Sequence, residues 1–338
     1  MVLVTGGTGL VGSHLIFDLL SKGYQVKAMV RKTGSKDSIL RTFQYYSANA
    51  NELFNSIIWA EGDIMDISSL EEALEGVEQV YHTAAFVSFN SRDKKKIIKT
   101  NVDGTVNLVN LCLKREIRKL CFVSSIATLG ITDDGSFITE EVLWKPTKHQ
   151  SAYSTSKFKS EMEVWRGITE GLKAVIVNPS VILGPGDLNK NFNIITNHIT
   201  KGFSFYTEGV TGFVDVRDVT QAMIKLMESN ISGERFILSS ENIRYKDLFK
   251  WIAEALIIKP LNIYVSPWIA GIIWRVAALT SFLFFSSTQI SRSTLAIAYK
   301  KLHYSSKKIK EYLNFDFRPV KQTINDLVLL NRDDKKIK

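Results

Sequence analysis

The stretch TGGTGLVG, residues 5–12, decides the fold. It follows a short apolar run at 2–5 and opens a segment of helical periodicity that ends at Gly23. Gly6, Gly9 and Gly12 have the spacing G-x-x-G-x-x-G. In a strand–turn–helix such glycines allow a tight turn, admit a pyrophosphate close to backbone N–H groups, and let the helix pack on the strand. The stretch predicts a dinucleotide site; because both flanking elements are present, a ligand-free glycine turn is disfavoured.

Working outward, β-branched runs alternate with helical patterns through the first half of the chain. Strands are predicted at 25–30, 79–82, 119–124 and 173–178, and helices at 10–22, 66–75, 101–115 and 153–170. This alternation predicts an α/β protein: a Rossmann doubly wound parallel sheet with helices on both faces. After Pro179 the pattern loosens, which indicates a smaller, mixed C-terminal region over the open end of the sheet.

These patterns also predict a domain organisation. We expect residues 1–180 to form the nucleotide-binding domain, with 206–240 returning to it. Residues 181–205 and 241–330 are expected to form the substrate-binding region, and residues 331–338 a basic tail.

Composition excludes several classes of protein. Of 338 residues, 45% are apolar and 23% charged, which is typical of a globular protein and not of a disordered or collagen-like one. The net charge is +9, but 12 basic and only 5 acidic residues lie between Ser291 and Lys338. This local excess lacks the interleaved aromatic residues of a nucleic-acid groove. It predicts a solvated surface and no nucleic-acid partner.

Cysteine, histidine and the termini add further expectations. Two Cys and five His in no ligand spacing predict neither a disulfide framework nor a metal site. The chain starts without a targeting pattern, so a cytoplasmic location is expected. Residues 268–285 are nearly all apolar, but Arg275 near their centre disfavours a membrane span. A buried or pocket-covering helix is favoured there; peripheral membrane contact through 268–285 and the basic tail stays an alternative.

The residues after the second strand bear on cofactor choice. Sites for NAD carry an acid here, whereas Val30 is followed by Arg31 and Lys32. A guanidinium suits a 2′-phosphate, so NADP(H) is favoured; NAD(H), or a merely solvated basic pair, is the alternative. Asp63, which follows Gly62, is a candidate for adenine contact.

Tyr153 and Lys157 stand at i and i+4, so both project from one face of the predicted helix. Such a pair is expected about once by chance, and Tyr304 with Lys308 is a second, which we interpret as the decoy. What distinguishes the first pair is the strand that ends at Ser124 and Ser125. That strand places a hydroxyl at the carboxyl edge of the sheet, where a nucleotide would lie.

Chemistry explains why these three residue types belong together. Hydride transfer to a carbonyl leaves an alkoxide that needs a proton. A phenol, with an ordinary pKa of about 10, is a poor acid or base near neutrality unless a nearby cation lowers that pKa. We expect Lys157 to supply the cation and Ser125 to donate a hydrogen bond to the substrate oxygen.

Together the motifs resemble those of the extended short-chain dehydrogenase/reductases, the NAD-dependent epimerase/dehydratase family. The resemblance runs from Met1 to about Leu330 and rests on residues 5–12, 62–64, 82–85, 101–105, 123–125, 153–157, 178–179 with 184–186, and 213–219. It implies that Ser125, Tyr153 and Lys157 carry the chemistry and that helices near 101–115 and 153–170 form a homodimer interface. The cofactor residues that it and the preceding patterns imply are Gly6, Thr8, Gly9, Leu10, Val11, Gly12, Arg31, Lys32, Asp63, Ile64, Ala84, Ala85, Asn101, Tyr153, Lys157, Pro179 and Ser180.

Departures from the family pattern narrow the reaction. Ile126-Ala127-Thr128 follows the catalytic serine where the family's dehydratases have an acidic pair, and Thr211-Gly212 stands where its nucleotide-sugar epimerases have an arginine. Arg31 and residues 177–186 look like the dihydroflavonol reductase and 3β-hydroxysteroid dehydrogenase branch. We therefore expect an oxidoreductase that interconverts a hydrophobic ketone or aldehyde and an alcohol.

Position alone suggests the substrate contacts, which would be Phe86, Ser88, Thr128 and Gln150. Two other functions stay open. A nucleotide-sugar epimerase would remove a hydride and return it to the other face of a transient ketone. A cofactor-sensing binding protein is the second, and the complete catalytic trio argues against it.

Overall fold

The computed structural model describes residues 1–32, 34–88, 91–132, 134–147, 150–185, 205–258, 263–269 and 298–336. Its strands are β1 (Val2–Thr5), β2 (Val26–Val30), β3 (Ile58–Glu61), β4 (Gln79–His82), β5 (Lys119–Val123), β6 (Ala174–Pro179), β7 (Val181–Leu183), β8 (Phe205–Tyr206), β9 (Val210–Asp215), β10 (Glu234–Leu238), β11 (Glu241–Arg244) and β12 (Ile263–Tyr264). Its helices are α1 (Leu10–Ser21), α2 (Asp37–Gln44), α3 (Ala50–Asn55), α4 (Ile67–Ala73), α5 (Lys94–Lys114), α6 (Ala152–Thr169), α7 (Val216–Glu228), α8 (Tyr245–Leu256), α9 (Lys307–Leu313) and α10 (Val320–Lys336).

Seven parallel strands form the main sheet, in the order β10-β6-β5-β4-β1-β2-β3. The order reverses direction at β1, which pairs with β2 on one side and β4 on the other. Ligands of such sheets bind in the crevice at the carboxyl ends of the strands beside this reversal. The predicted Rossmann architecture is confirmed.

Both faces of the sheet are covered because the strand residues are apolar on both sides. Along β5, Cys121 and Val123 pack in the cluster that contains α1 and α7, whereas Leu120 and Phe122 pack in the cluster that contains α4, α5 and α6. Continuous apolar runs of this kind are typical of parallel strands buried on both faces. Cys112 and Cys121 are both buried, free thiols.

The later part of the chain divides between the main sheet and smaller units. Strand β10 pairs with β6 at the edge of the main sheet. Strands β11-β9-β7 form a three-stranded sheet, and β12 with β8 a two-stranded one. Helix α10 runs to Lys336 and so includes most of the predicted basic tail. The domain division and the homodimer through α5 and α6 stay predictions.

Two differences from the predicted elements have physical reasons. Helix α5 begins at Lys94, not at residue 101. The prediction missed its start because the first turn is three lysines, and the first buried residue is Ile97. The short elements α2, α3 and β3 were not predicted, since each is too brief to show a period.

Of the apolar stretch 268–285, only Trp268 and Ile269 are described. The predicted covering helix and its possible membrane contact therefore lie outside the described residues. None of the helices in the described ranges is both long and apolar enough to cross a membrane.

Candidate active site

The glycine loop brings α1 very close to β1. Gly6 has φ +74°, and a Cβ on it would lie 2.6 Å from the backbone of Ala84. A Cβ on Gly12 would lie 2.2 Å from the Gly6 carbonyl oxygen, which accepts a hydrogen bond from the Gly9 N–H at 3.0 Å. Only glycine fits either position. Gly9 is the N-cap of α1, and the first N–H groups of that helix lack intrahelical acceptors.

A cleft of about 200 Å³ lies beside this loop. Among the described residues its lining contains eight of the predicted cofactor residues: Gly6, Thr8, Gly9, Arg31, Asp63, Ile64, Ala84 and Ala85. Six more lining residues complete it: Met29, Val30, Gly62, Thr83, Phe86 and Thr100. The glycine cradle and a cleft at the ends of β1, β2, β3 and β4 fit a dinucleotide.

Two charged residues, Arg31 and Asp63, line this cleft. Arg31 is exposed at the end of β2 and lines the cleft, while the neighbouring Lys32 is exposed and is not among the lining residues. Asp63 also lines the cleft, and one of its carboxylate oxygens accepts a hydrogen bond from the Met65 N–H at 2.9 Å. Asp63 therefore shapes the turn after β3 as well.

A buried histidine, His82, connects the strand that precedes the glycine loop to helix α5. His82 Nδ1 lies 2.7 Å from the Thr5 hydroxyl, and Nε2 lies 3.2 Å from the Thr105 hydroxyl. Because Thr105 donates its own proton to the Asn101 carbonyl at 2.6 Å, it accepts from Nε2–H, and Nδ1 accepts from Thr5. Burial lowers the pKa of His82 to about 3, with Lys157 adding to that effect. The ring is thus neutral and joins β1, β4 and α5.

The Asn101 side chain is occupied by the protein itself. Its Oδ1 accepts from the Phe86 N–H at 2.7 Å, and its Nδ2 donates to the Phe86 carbonyl and to the Ser156 hydroxyl at 3.1 and 3.0 Å. Asn101 is 3% exposed. Its geometry suits a residue that holds the Phe86 segment against α6, and Phe86 lines the cleft.

Ser125, Tyr153 and Lys157 meet at the start of α6. The hydroxyl of Ser151 caps this helix by accepting from the Ser154 N–H at 3.0 Å. Tyr153, in the first turn, is hydrogen-bonded to the Ser125 side chain. Ser125 itself follows β5, and its hydroxyl also accepts from the Ala127 N–H at 3.2 Å. The expected neighbourhood of serine and tyrosine is therefore found.

Lys157 lies one turn further along and is only 4% exposed. Its ammonium group donates to the Val123 carbonyl at 2.5 Å and sits 4.6 Å from the centre of the Phe122 ring. Burial lowers the pKa of Lys157 to about 8, and Glu161 opposes this effect. Because this pKa still lies above 7, the Lys157 side chain is mostly protonated, and so positively charged, at neutral pH.

The pKa of Tyr153 differs from the expectation. Burial raises that pKa, and the hydrogen bond from Ser125 only partly opposes the effect. The predicted lowering by Lys157 is wrong for this arrangement, since desolvation dominates and the ammonium group donates to β5. The second tyrosine–lysine pair differs from the first, because Tyr304 precedes α9 and therefore does not share a helix with Lys308.

The residues predicted to contact the substrate lie in different environments. The Ser88 hydroxyl donates to Asp93 at 2.6 Å, and the Gln150 amide donates to Ser154 at 2.7 Å. Thr128 is fully buried with its hydroxyl engaged in a polar network, so its side chain does not reach open space. Pro179 and Ser180 are buried at the end of β6.

The main component that sequence reasoning missed is that network. It centres on Glu161, with Asn178 and Arg235 as partners. One signal was available, because Glu161 stands at i+4 from Lys157 and hence on the same face of the helix.

This chain is similar to known proteins in sequence and in fold. A family model, described as the NAD dependent epimerase/dehydratase family, matches residues 2–238. The match ends where β10 completes the main sheet. The chain is 32% identical over 254 residues to sterol demethylase protein B of Methylococcus capsulatus, covering 75% of this chain and 73% of that protein. It is 27% identical to a putative dihydroflavonol 4-reductase of Synechocystis, covering 96% and 92%.

Solved structures share the fold. The crystal structure of gox2253 superposes with a TM-score of 0.83 at 30% identity, covering 100% of this chain and 99% of that one. A UDP-glucose 4-epimerase from Thermotoga maritima, solved with UDP-glucose, has a TM-score of 0.78 at 22% identity, covering 99% of each chain. The latter likeness concerns the fold alone.

Proposed function

This chain belongs to the NAD-dependent epimerase/dehydratase family, and on that premise we propose that it is an NADP(H)-dependent oxidoreductase. Its substrate is a hydrophobic ketone or aldehyde, which it interconverts with the corresponding alcohol. The hydrogen bond between Ser125 and Tyr153, with Lys157 one turn away, is the observation that carries this proposal. When bound in the glycine cleft, a nicotinamide dinucleotide supplies or accepts the hydride.

The chain's own residues manage the proton and the oxygen. The Tyr153 phenol donates a proton to the carbonyl oxygen as that oxygen gains negative charge, and takes a proton in the reverse direction. The Ser125 hydroxyl donates a hydrogen bond to the same oxygen and fixes its position. Lys157, whose ammonium group donates to the Val123 carbonyl, keeps a positive charge one helical turn from Tyr153.

A charged side chain supports the proposed cofactor, and exposed apolar side chains support the proposed class of substrate. Arg31 at the cleft rim offers a guanidinium to a 2′-phosphate. Exposed Val87 and Val181, which follow Phe86 and Ser180 in the chain, offer apolar surface to a substrate. The relatives named above include a dihydroflavonol reductase, whose name denotes reduction. Against an epimerase, buried Thr211 and uncharged Gly212 provide no cation for a diphosphate.

The Tyr153→Phe variant tests the reaction. Ketones, hydroxysteroid-like alcohols and nucleotide sugars are screened with both cofactors by nicotinamide absorbance, and the best substrate is carried forward. Removal of the proton donor is expected to lower kcat by at least about 100-fold. The Kd for NADPH should stay within about twofold, because only one hydroxyl is lost.

Tyr304→Phe is the matched control, since Tyr304 is a buried tyrosine outside the site. It should leave kcat near that of the parent. Substantial turnover by Tyr153→Phe contradicts the catalytic role. Turnover of a nucleotide sugar alone, with oxidised cofactor retained through purification, favours the epimerase.

The Arg31→Ser variant tests the cofactor. Loss of a charge-assisted contact should weaken NADPH binding by about tenfold or more, while NADH binding changes little. Lys32→Ser is the control, because Lys32 is the adjacent basic residue and is not among the residues that line the cleft. Tighter binding of NADH than NADPH by the parent protein contradicts the NADP(H) assignment.

A further inference from the structure

A carboxylate is completely buried on the helix that carries Tyr153 and Lys157. Glu161 is 0% exposed and lies on α6 one turn beyond Lys157. Since residues four apart in a helix share a face, Tyr153, Lys157 and Glu161 form one row. A charged group this buried is rare and needs compensating partners, which lie on β6, on β10, in the turn after β5 and on α6 itself.

One oxygen of this carboxylate accepts hydrogen bonds from three side chains near Ser125. Oε2 accepts from the Ser124 hydroxyl at 2.5 Å, the Thr128 hydroxyl at 2.7 Å and the Asn178 amide at 2.9 Å. Ser124 and Thr128 bracket Ser125 in the chain, and the Asn178 amide also donates to the Ser125 carbonyl at 3.2 Å. Glu161 therefore anchors both ends of the turn that presents the Ser125 hydroxyl to Tyr153.

The other oxygen holds a counter-charge from the edge of the sheet. Oε1 accepts from Arg235 Nη1 at 2.9 Å and from the Trp165 indole N–H at 3.4 Å. Arg235, on β10, is only 13% exposed and also donates through Nε to the Glu140 carbonyl at 2.9 Å. The arginine is thus fixed independently of Glu161.

Glu161 lies one turn from Lys157 on the same face of α6, and its negative charge acts on the Lys157 ammonium group. On α6 the titratable neighbours are Tyr153 and Glu161; β4 contributes neutral His82, and β10 contributes Arg235 behind Glu161. The groups from β5 are the Val123 carbonyl and the Phe122 ring. The negative charge of Glu161 raises the pKa of Lys157 against the effect of burial.

We propose that Glu161 is a positioning residue for the Ser125–Tyr153–Lys157 trio. It holds the Ser125 turn against α6 and sustains the positive charge of Lys157. This assignment rests on the proposed function for its catalytic meaning, but its two structural consequences are measurable without a substrate.

The Glu161→Gln variant removes the charge and keeps the shape. NMR of the protein labelled with 13C at the lysine ε-carbons, with Lys157 assigned through Lys157→Arg, gives the Lys157 titration midpoint. We expect that midpoint to move to lower pH by about half a unit or more, because an attracting charge is lost. With the screened substrate, kcat should fall roughly 10- to 100-fold as the Ser125 turn shifts, and the alkaline limb of the kcat profile should move with the midpoint. The NADPH Kd should stay within about twofold.

Asp218→Asn is the matched control. Asp218 is 3% exposed and pairs with Arg318, accepting from its backbone N–H at 2.7 Å and from its guanidinium. Both variants remove a buried carboxylate and are expected to lower the Tm, but only Glu161→Gln should move the Lys157 midpoint and the alkaline limb. If Glu161→Gln lowers the Tm and leaves both in place, Glu161 is merely structural and the proposal fails.

Two further outcomes are decisive. If Glu161→Gln does not fold, the double variant with Arg235→Gln leaves no unpaired buried charge. A shift of the Lys157 midpoint in the same direction, reduced by the loss of the Arg235 charge, is expected from it. An unmoved midpoint in that protein overturns the proposal. Absence of turnover in every form, including the parent, refutes the proposed function, whereas the Lys157 titration still decides the role of Glu161.

Discussion

Replacing Gly12 with alanine probes how the phosphate cradle is built. A Cβ at this position would lie 2.2 Å from the Gly6 carbonyl oxygen and 2.8 Å from its carbon. Comfortable contact between heavy atoms needs about 3.5 Å, so the carbonyl must move by about 1 Å. That oxygen also accepts from the Gly9 N–H. The displacement therefore spreads through the loop that faces the cleft.

The size of the loss in NADPH affinity depends on whether the added Cβ meets a backbone atom or the end of a side chain. Forcing a methyl group against packed atoms costs about 1–3 kcal/mol, which corresponds to about a 5- to 150-fold rise in Kd when it is expressed in binding. Gly7→Ala is the control, because its Cβ would meet the Ile16 Cδ1 atom at 2.7 Å, the mobile end of a side chain. That side chain can give way, so the Kd should change by no more than about threefold.

Fluorescence titration with NADPH measures both Kd values, and thermal unfolding reports the strain that remains in the fold. The opposite result would be that Gly12→Ala binds NADPH as tightly as Gly7→Ala and keeps the parent Tm. In that event the close approach of α1 to Gly6 would not shape the site.

Two other predictions concern the floor and wall of the cleft. Because the pKa of His82 is about 3 in the folded chain and about 6.5 when unfolded, unfolding takes up a proton below pH 6.5. Stability therefore falls with pH from 6.5 towards 5, and His82→Gln should reduce the slope of the unfolding free energy by up to about 1.4 kcal/mol per pH unit; equal slopes in urea titrations would contradict this. Gly104→Ala places a Cβ 2.5 Å from Ile64, which lines the cleft, and should weaken NADPH binding several-fold. Gly167→Ala, whose Cβ meets Val109 at 2.6 Å, should lower the Tm with the Kd unchanged; equal Kd effects would exclude displacement of Ile64 as the cause.

The sequence was sufficient for the elements with strong local signals. The glycine loop, the strand at 79–82 and helix α4, predicted at 66–75, are found, because spacing, apolar runs and capping chemistry act over a few residues. The start of α5 was misplaced, since Lys94–Lys96 carry no apolar residue to mark a buried face. Local pattern also misled at Thr128, whose chain position suggested a substrate contact.

Long-range contacts explain the rest. Arg235 is 74 residues from Glu161, and the expected return of residues 206–240 to the nucleotide-binding domain did not specify that β10 lies beside β6 at the edge of the main sheet. The pKa of Tyr153 likewise depends on how much water burial removes, which no spacing reveals. Pairings between distant strands, and the solvent that they exclude, decide these features.

The ion pair between Glu161 and Arg235 has a consequence for synthesis of the chain. A ribosome that adds 5–20 residues per second needs roughly 4–15 s to pass from Glu161 to Arg235. During that interval the nascent helix α6 holds a carboxylate whose cationic partner has yet to be made, so its docking is incomplete. The last strand of the main sheet thus sets the earliest moment at which the nascent protein can complete the packing around helix α6.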